Sequence, residues 1–179
     1  MDFDTTVSTS LLGLRSLDGI IFFNTITKLG GDVWIIVLAI MLPSIWWYYG
    51  NRAYAEGLWI SIGGSEATSY LLKLLVARER PAGALFEEST YSFPSGHAVV
   101  AVALYGYLVW IVHRSVSSTP LRIALESFLV FVVILVGFSR LYLGVHYASD
   151  VAAGFGIGAA WLSFAIFRTR AKLRKRVSR

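Results

Sequence analysis

Hydrophobic residues run in five long, mostly uncharged stretches, at about Val33–Tyr49, Ala53–Leu75, Ser95–Val112, Ile123–Phe138 and Val151–Phe167. A helix rises about 1.5 Å per residue, so apolar runs of this length read as membrane-spanning helices. Several fall short of the ~20 residues of a full span, and the missing turns are where polar clusters sit. Upstream, Leu11, Leu14, Leu17 and Ile21 recur at helical spacing among Arg15, Ser16, Asp18 and Asn24. That pattern predicts an amphipathic helix lying in the membrane interface over about Leu11–Thr27.

These elements predict an all-α fold, a polytopic helical membrane bundle of about five transmembrane helices plus the N-terminal amphipathic helix. Composition agrees: 56% of the 179 residues are hydrophobic and 15% charged, with a mean hydropathy of +0.63, outside the range of water-soluble domains. The absence of cysteine excludes disulfide and thiolate-metal schemes. The first residues lack the basic region and small-residue cleavage site of a signal peptide. No repeat or linker divides the chain, which is expected to form one domain over 1–179, with 1–30 an amphipathic interfacial segment, 31–168 the transmembrane core and 169–179 a basic cytoplasmic tail.

Charge distribution adds an orientation. Seven of the last twelve residues, Arg168 to Arg179, are Lys or Arg, and such a block beside a final span marks the cytoplasmic side. Counting back through five spans puts the N-terminus, the 76–94 loop and the 140–147 loop outside. Ten of the sixteen Lys and Arg then lie inside, while Arg15, Lys28, Lys73, Arg78, Arg80 and Arg140 lie outside. The basic tail reads first as a topology signal, with anionic-lipid binding as a second use, and nothing points to a nucleic-acid partner.

This topology gathers three polar clusters at one mouth of the bundle. Lys73-x6-Arg80-Pro81 ends the second span, where Pro81 stops the helix and biases Arg80 toward an extended conformation. Arg78 beside them reads as an interfacial anchor. Pro94-Ser95-Gly96-His97 precedes the third span, where free backbone N–H groups at a helix N-terminus bind anions; Ser95 is placed either to cap that helix or to donate to a phosphate oxygen. Ser139-Arg140-x5-His146-x3-Asp150 bridges the last two spans, with His146 and Asp150 four apart on one face. The carboxylate can fix the imidazole tautomer, leaving the other ring nitrogen as nucleophile or base. Two His and one Asp could also be read as metal ligands, but Lys73, Arg80 and Arg140 would repel a cation. A charge deep in a span costs roughly 2.5–3.5 kcal/mol, so three converging cations require an anion, and phosphoryl transfer uses such a cluster. No cofactor or metal is expected.

Together the three motifs resemble the signature of the type 2 phosphatidic acid phosphatase superfamily, from Lys73 to Asp150 with every motif position filled. Tyr91-Ser92-Phe93 and Leu141-Tyr142-Leu143-Gly144-Val145 are similar to its bacterial membrane members. The resemblance implies that His146 is the nucleophile that forms a phosphohistidine and is oriented by Asp150. It implies that His97 protonates the leaving group and later activates water, and that Lys73, Arg80, Ser95, Gly96 and Arg140 hold the phosphoryl oxygens. It further implies metal-free chemistry in the bacterial cytoplasmic membrane with the site facing the periplasm. Membrane members of the family usually have six spans, so the five read here imply either a five-span core or a preceding segment that was removed.

A site at the mouth of an apolar bundle suits a lipid phosphate: undecaprenyl diphosphate, phosphatidylglycerol phosphate, phosphatidic acid or the phosphate of lipid A, with family grounds leaning toward the first. Alternatives are a phosphotransferase using the same intermediate, a haloperoxidase (unlike this chain, a soluble type of enzyme) and a lipid-binding or transport module with a degenerate site. Glu66, one face and seven residues from Lys73, reads either as part of a lipid portal or polar network with Ser69 and Tyr70, or as a structural carboxyl. Glu87 and Glu88 read as solvated. Gly154-x3-Gly158 reads as a close helix contact or a dimer surface, leaving the oligomeric state open.

Overall fold

The computed structural model describes residues 3–86 and 88–177. Seven α-helices appear in chain order: α1 (Phe3–Leu12), α2 (Leu17–Thr27), α3 (Asp32–Tyr48), α4 (Arg52–Val76), α5 (Gly96–Ser115), α6 (Thr119–Tyr142) and α7 (Ala148–Val177), with a single 3₁₀ turn at Lys28–Gly30 between α2 and α3. The all-α membrane bundle expected from the sequence is the fold observed.

Two details differ from the expectation. The N-terminal amphipathic segment is two helices, broken at Gly13–Ser16; Ser16 caps α2 by accepting a hydrogen bond from the Gly19 amide at 3.1 Å. Among the described residues, four segments are long and apolar enough to cross a membrane: Leu17–Tyr48, Gly96–Ser115, Thr119–Tyr142 and Ala148–Lys175. The α2–α3 pair thus counts as one interrupted segment, whereas α4, 25 residues long, is absent from this group. Glu66, Lys73 and many Ser, Thr and Gly residues depress its hydropathy, although it packs against α3, α5 and α7 on one side and exposes Trp59, Leu71, Leu74 and Leu75 on the other.

Helix α5 is the hub, packed against α4, α6 and α7. Its Val100, Leu104, Tyr107 and Trp110 meet Leu58 and Ile62 of α4, Val132 and Val136 of α6, and Ala165 of α7 in one buried cluster. Burial of apolar surface against neighbouring helices cannot drive association inside lipid, so close packing and interhelical hydrogen bonds must. Both are present. Ser61 donates to the Ala103 carbonyl at 2.9 Å, Trp161 donates to Thr68 at 3.0 Å, and Trp34 and Tyr105 link α3 to α5 and on to the Leu29 carbonyl. A methyl group at Gly154 would lie 2.8 Å from the Ser95 carbonyl oxygen, and one at Gly158 2.5 Å from that of Val99. The Gly154-x3-Gly158 pair therefore lets α7 approach α5, which is the first of the two readings of that motif.

Gly158→Leu is expected to destabilise the bundle by at least about 1–3 kcal/mol through overpacking, seen as a lower midpoint of thermal unfolding in detergent. Gly156→Leu, where no atom lies within 4 Å of an added Cβ, should leave the midpoint close to that of the parent.

Candidate active site

The three sequence clusters converge at one end of the bundle because α4, α5, α6 and α7 all terminate or begin there. Helix α4 ends with Ala77 in the left-handed conformation (φ 48°), which turns the chain so that Arg78 and Arg80 come back across the helix ends. Between α6 and α7, Gly144 has φ +70°, and a Cβ there would meet the Arg15 guanidinium and the Gly83 carbonyl. That glycine turn lets His146 lie against the ends of α4 and α5.

A cavity of about 280 Å³ opens at this end, lined by Lys73 and Glu66 of α4, Gly96 and His97 at the start of α5, His146 before α7, and Gly30, Asp32, Ser69, Tyr70, Glu88, Thr90 and Val100. Arg80 reaches it from the loop: its Nη1 lies 3.3 Å from His146 Nε2 and donates to the Val145 carbonyl at 2.7 Å, while Nε donates to the Thr90 carbonyl at 2.9 Å. Lys73 Nζ donates to the Tyr91 carbonyl at 2.6 Å. Arg140, 3% exposed, donates to Thr27 Oγ1 at 2.8 Å and to Glu88. A larger cleft of about 590 Å³ at the opposite end, lined by Arg52, Glu56, Lys172 and Lys175, has no histidine.

Each predicted site residue thus falls at or directly behind one cavity. His146 and Asp150 are 3% and 0% exposed. The Asp150 carboxylate is heavily used: Oδ2 accepts from Ser92 and from the Tyr147 amide at 2.9 Å, and Oδ1 from Arg78 at 2.7 Å. His146 Nδ1 lies 3.5 Å from Oδ2, an ion-pair distance too long for a formed hydrogen bond, and Nδ1 has no other partner among the described residues. The side chain of His97 makes no hydrogen bond to the described residues; it faces the cavity near Gly30 and Gly31. Ser95 stands at the N-cap position of α5, yet its side chain makes no cap bond, and its buried Oγ has no partner among the described residues. The capping bond expected of Ser95 is therefore not formed. Lys73 lines the cavity, Arg80 stands against its His146 and Arg140 against its Glu88, and no acid of the three motifs pairs with them.

The balance comes from Glu88, where the reading of a solvated side chain is overturned. Its carboxylate bridges two cations, with Oε2 2.8 Å from Arg80 Nη2 and Oε1 paired to Arg140. Burial alone would raise its pKa, but Arg140 and Arg80 outweigh that and hold the carboxyl below its usual range. An internal carboxylate thus sits where an incoming anion would sit. Glu87 lies outside the described residues. Arg78 is not an interfacial anchor either, since it bridges Asp150 and Asp4. Ser92, Thr27 and Asp4 lie outside the three motifs, and only folding brings them against Asp150, Arg140 and Arg78.

Burial is the main influence on His146, which lies in the connection between α6 and α7: it disfavours the imidazolium and, with Arg140 and Arg80 nearby, outweighs the pull of Asp150, lowering the pKa to about 4. The ring is therefore neutral at pH 7, the form in which Nε2 can act as a nucleophile. Between about 6.5 and about 4 the unfolded chain takes up a proton at this position that the folded one refuses, so the stability contributed by neutral His146 is present above 6.5 and lost as pH falls through 4. The fall in unfolding midpoint from pH 7 to pH 4 should be smaller in His146→Gln than in the parent, as measured by thermal scans across that range.

The PAP2 superfamily model matches residues 55–174, a stretch that holds all three motifs. The chain is 31% identical over 135 residues to phosphatidylglycerophosphatase B of Bacillus subtilis (strain 168), covering 74% of this chain and 66% of that protein, so the match spans just under two thirds of the relative. It is 27% identical over 163 residues to the undecaprenyl-diphosphatase of Sulfolobus acidocaldarius, covering 84% and 69% of the two chains. The crystal structure of a transmembrane PAP2 type phosphatidylglycerolphosphate phosphatase from Bacillus subtilis superposes with a TM-score of 0.83 at 25% identity, covering 90% of this chain and 82% of the other. With its motifs brought to one cavity inside the matched region, the chain belongs to the PAP2 superfamily.

Proposed function

We propose that this protein is a membrane lipid phosphatase that hydrolyses a lipid phosphate or diphosphate through a phosphohistidine intermediate. The observation that carries the reading is the placement of His146 Nε2 beside Arg80 at the wall of a cavity that Lys73 lines, with Arg140 behind Glu88. Neutral His146 attacks phosphorus through Nε2, and the P–O bond to the lipid breaks as the N–P bond forms. Lys73, Arg80 and Arg140, with the Ser95 hydroxyl and the Gly96 amide, stabilise the equatorial oxygens. His97 delivers a proton to the leaving oxygen and then takes one from the water that cleaves the phosphohistidine. Asp150 holds the Nδ1–H tautomer, and the 3.5 Å contact shortens as charge develops on the ring, in line with the loose geometry of many substrate-free sites.

The substrate's phosphate displaces Glu88 from Arg80 and Arg140. Its tail leaves the cavity through a groove of about 300 Å³ between α3, α4 and α5, lined by Ile35, Ile36, Ala39, Ile62 and Val100 and sharing Asp32 and Glu66 with the phosphate cavity. This shared position supports the portal reading of Glu66. Names of the relatives support phosphatidylglycerol phosphate and undecaprenyl diphosphate as the first compounds to test, beside phosphatidic acid and lipid A phosphate. Positive residues at the opposite end support an outward-facing site in the bacterial cytoplasmic membrane with the C-terminus inside, and the continuous packing of α3 to α7 supports one phosphatase domain with a basic tail.

Phosphate release by purified protein across these four lipids tests the reading; turnover of none would refute it. His146→Ala, His97→Ala and Arg140→Ala should each abolish turnover while a cooperative unfolding transition is retained, and chelators should have little effect. Formation of a new lipid phosphate when an acceptor lipid is added would favour a transferase. Because Glu88 competes for two guanidinium groups, and charged hydrogen bonds contribute about 1.5–3 kcal/mol, Glu88→Gln should tighten inhibition by inorganic phosphate about tenfold and lower the midpoint of the phosphate-free protein.

A further inference from the structure

The carboxylate behind His146 is not held by the motifs alone. Arg78 Nη1 donates to Asp150 Oδ1 and to Ser149 Oγ, both at 2.7 Å, and Arg78 Nη2 donates to Asp4 Oδ2 at 2.8 Å. Asp4 Oδ1 in turn accepts from the Ser149 amide at 2.9 Å, in the first turn of α7, where a carboxylate is favoured by the free N–H groups and the helix dipole. The Arg78 guanidinium also lies over the Tyr147 ring, 4.1 Å from its centroid. A continuous chain of charged contacts therefore runs from the first turn of α1 to the carboxylate that faces the imidazole.

Helix α1 is an improbable place for such a residue if its task is anchoring alone. Asp4 is largely buried although it stands next to Phe3, which is 73% exposed. The segment is pinned again after α1: Arg15 donates to the Tyr142 and Gly83 carbonyls at 2.8 Å, and the Tyr142 hydroxyl donates to the Leu14 carbonyl at 3.1 Å. Leu14 and Leu17 meanwhile present apolar surface outward, as a helix seated at a membrane interface would. The same segment that would rest on lipid also clamps the site.

We propose that Asp4 and Arg78 are positioning residues of the phosphatase reaction: they fix the Asp150 carboxylate, and through it His146, so that the docking of α1 is a condition for full turnover. The roles of His146 and Asp150 rest on the function proposed above. Without Asp4, Arg78 loses one of its two anionic partners and α7 loses a cap, and Asp150 is left to an arginine free to swing with its loop. Loss of orientation lowers the rate of the chemical step while leaving phosphate binding by Lys73, Arg80 and Arg140 in place.

The test uses full-length Asp4→Asn, Asp4→Glu and Arg78→Lys proteins in lipid nanodiscs, assayed with a long-chain lipid phosphate and with soluble p-nitrophenyl phosphate. Asp4→Asn should lower kcat on both substrates by about tenfold, as for other orienting partners, with KM little changed, and Asp4→Glu should recover most of the loss. An unchanged kcat, or an effect confined to KM for the long-chain lipid, would overturn the proposal in favour of anchoring. The ring ¹⁵N shifts of His146, assigned with His146→Gln, give a second readout that needs no turnover. They should move in Asp4→Asn and Arg78→Lys; identical shifts would overturn the relay, whereas moved shifts in a protein that releases no phosphate would uphold the relay and refute the phosphatase reading.

Discussion

Mutual repulsion among Lys73, Arg80 and Arg140 is the constraint around which this molecule is arranged. Three cations at the end of a low-dielectric bundle cannot be neutralised by water as they would be on a soluble surface. In the absence of phosphate the protein supplies part of the missing charge from Glu88, and the rest of the donors are spread over backbone carbonyls of Val145, Thr90 and Tyr91. A carboxylate is a weaker match than a phosphate, which offers more oxygens and more charge to the same fork of guanidinium groups. Glu88 thus holds Arg80 and Arg140 together at the cavity.

Around that centre, charge is layered. Lys73 and His146 stand at the cavity wall with Arg80 beside them, and behind His146 lie Asp150, then Arg78, then Asp4. Alternation of sign lets a fully buried carboxylate exist so close to the bundle, because each group's desolvation is offset by a partner. It also ties elements that are far apart in the chain, with 145 residues separating Asp4 from Ser149. The apolar packing of α5 against α4, α6 and α7 provides the rigid frame on which these contacts keep their distances.

Much of this was legible in the residue pattern. Helical spans, their number to within one, the motif residues and their common end of the bundle all follow from local rules: apolar runs of spanning length, prolines and glycines at helix ends, and fixed spacings on one face. The polar helix α4 marks the boundary of such rules, because hydropathy takes no account of its interhelical hydrogen bonds with Ala103, Tyr107 and Trp161. The close approach of α7 to α5 was visible in Gly154 and Gly158, since small residues four apart have few other reasons to line one face.

Local pattern could not assign Glu88, Arg78, Asp4, Ser92 or Thr27, whose roles depend on partners more than fifty residues away, as in the pairing of Glu88 with Arg140. A charged residue in a loop looks solvated until the fold puts two arginines beside it, and Arg78 looks like an anchor until α1 arrives. By itself the sequence determined the membrane bundle and the phosphate-handling inventory, because both are written in composition and short-range spacing. Only the tertiary structure decided which charges neutralise one another, because electrostatic pairing depends on distance in space and on exclusion of water, and neither is encoded at any fixed separation along the chain.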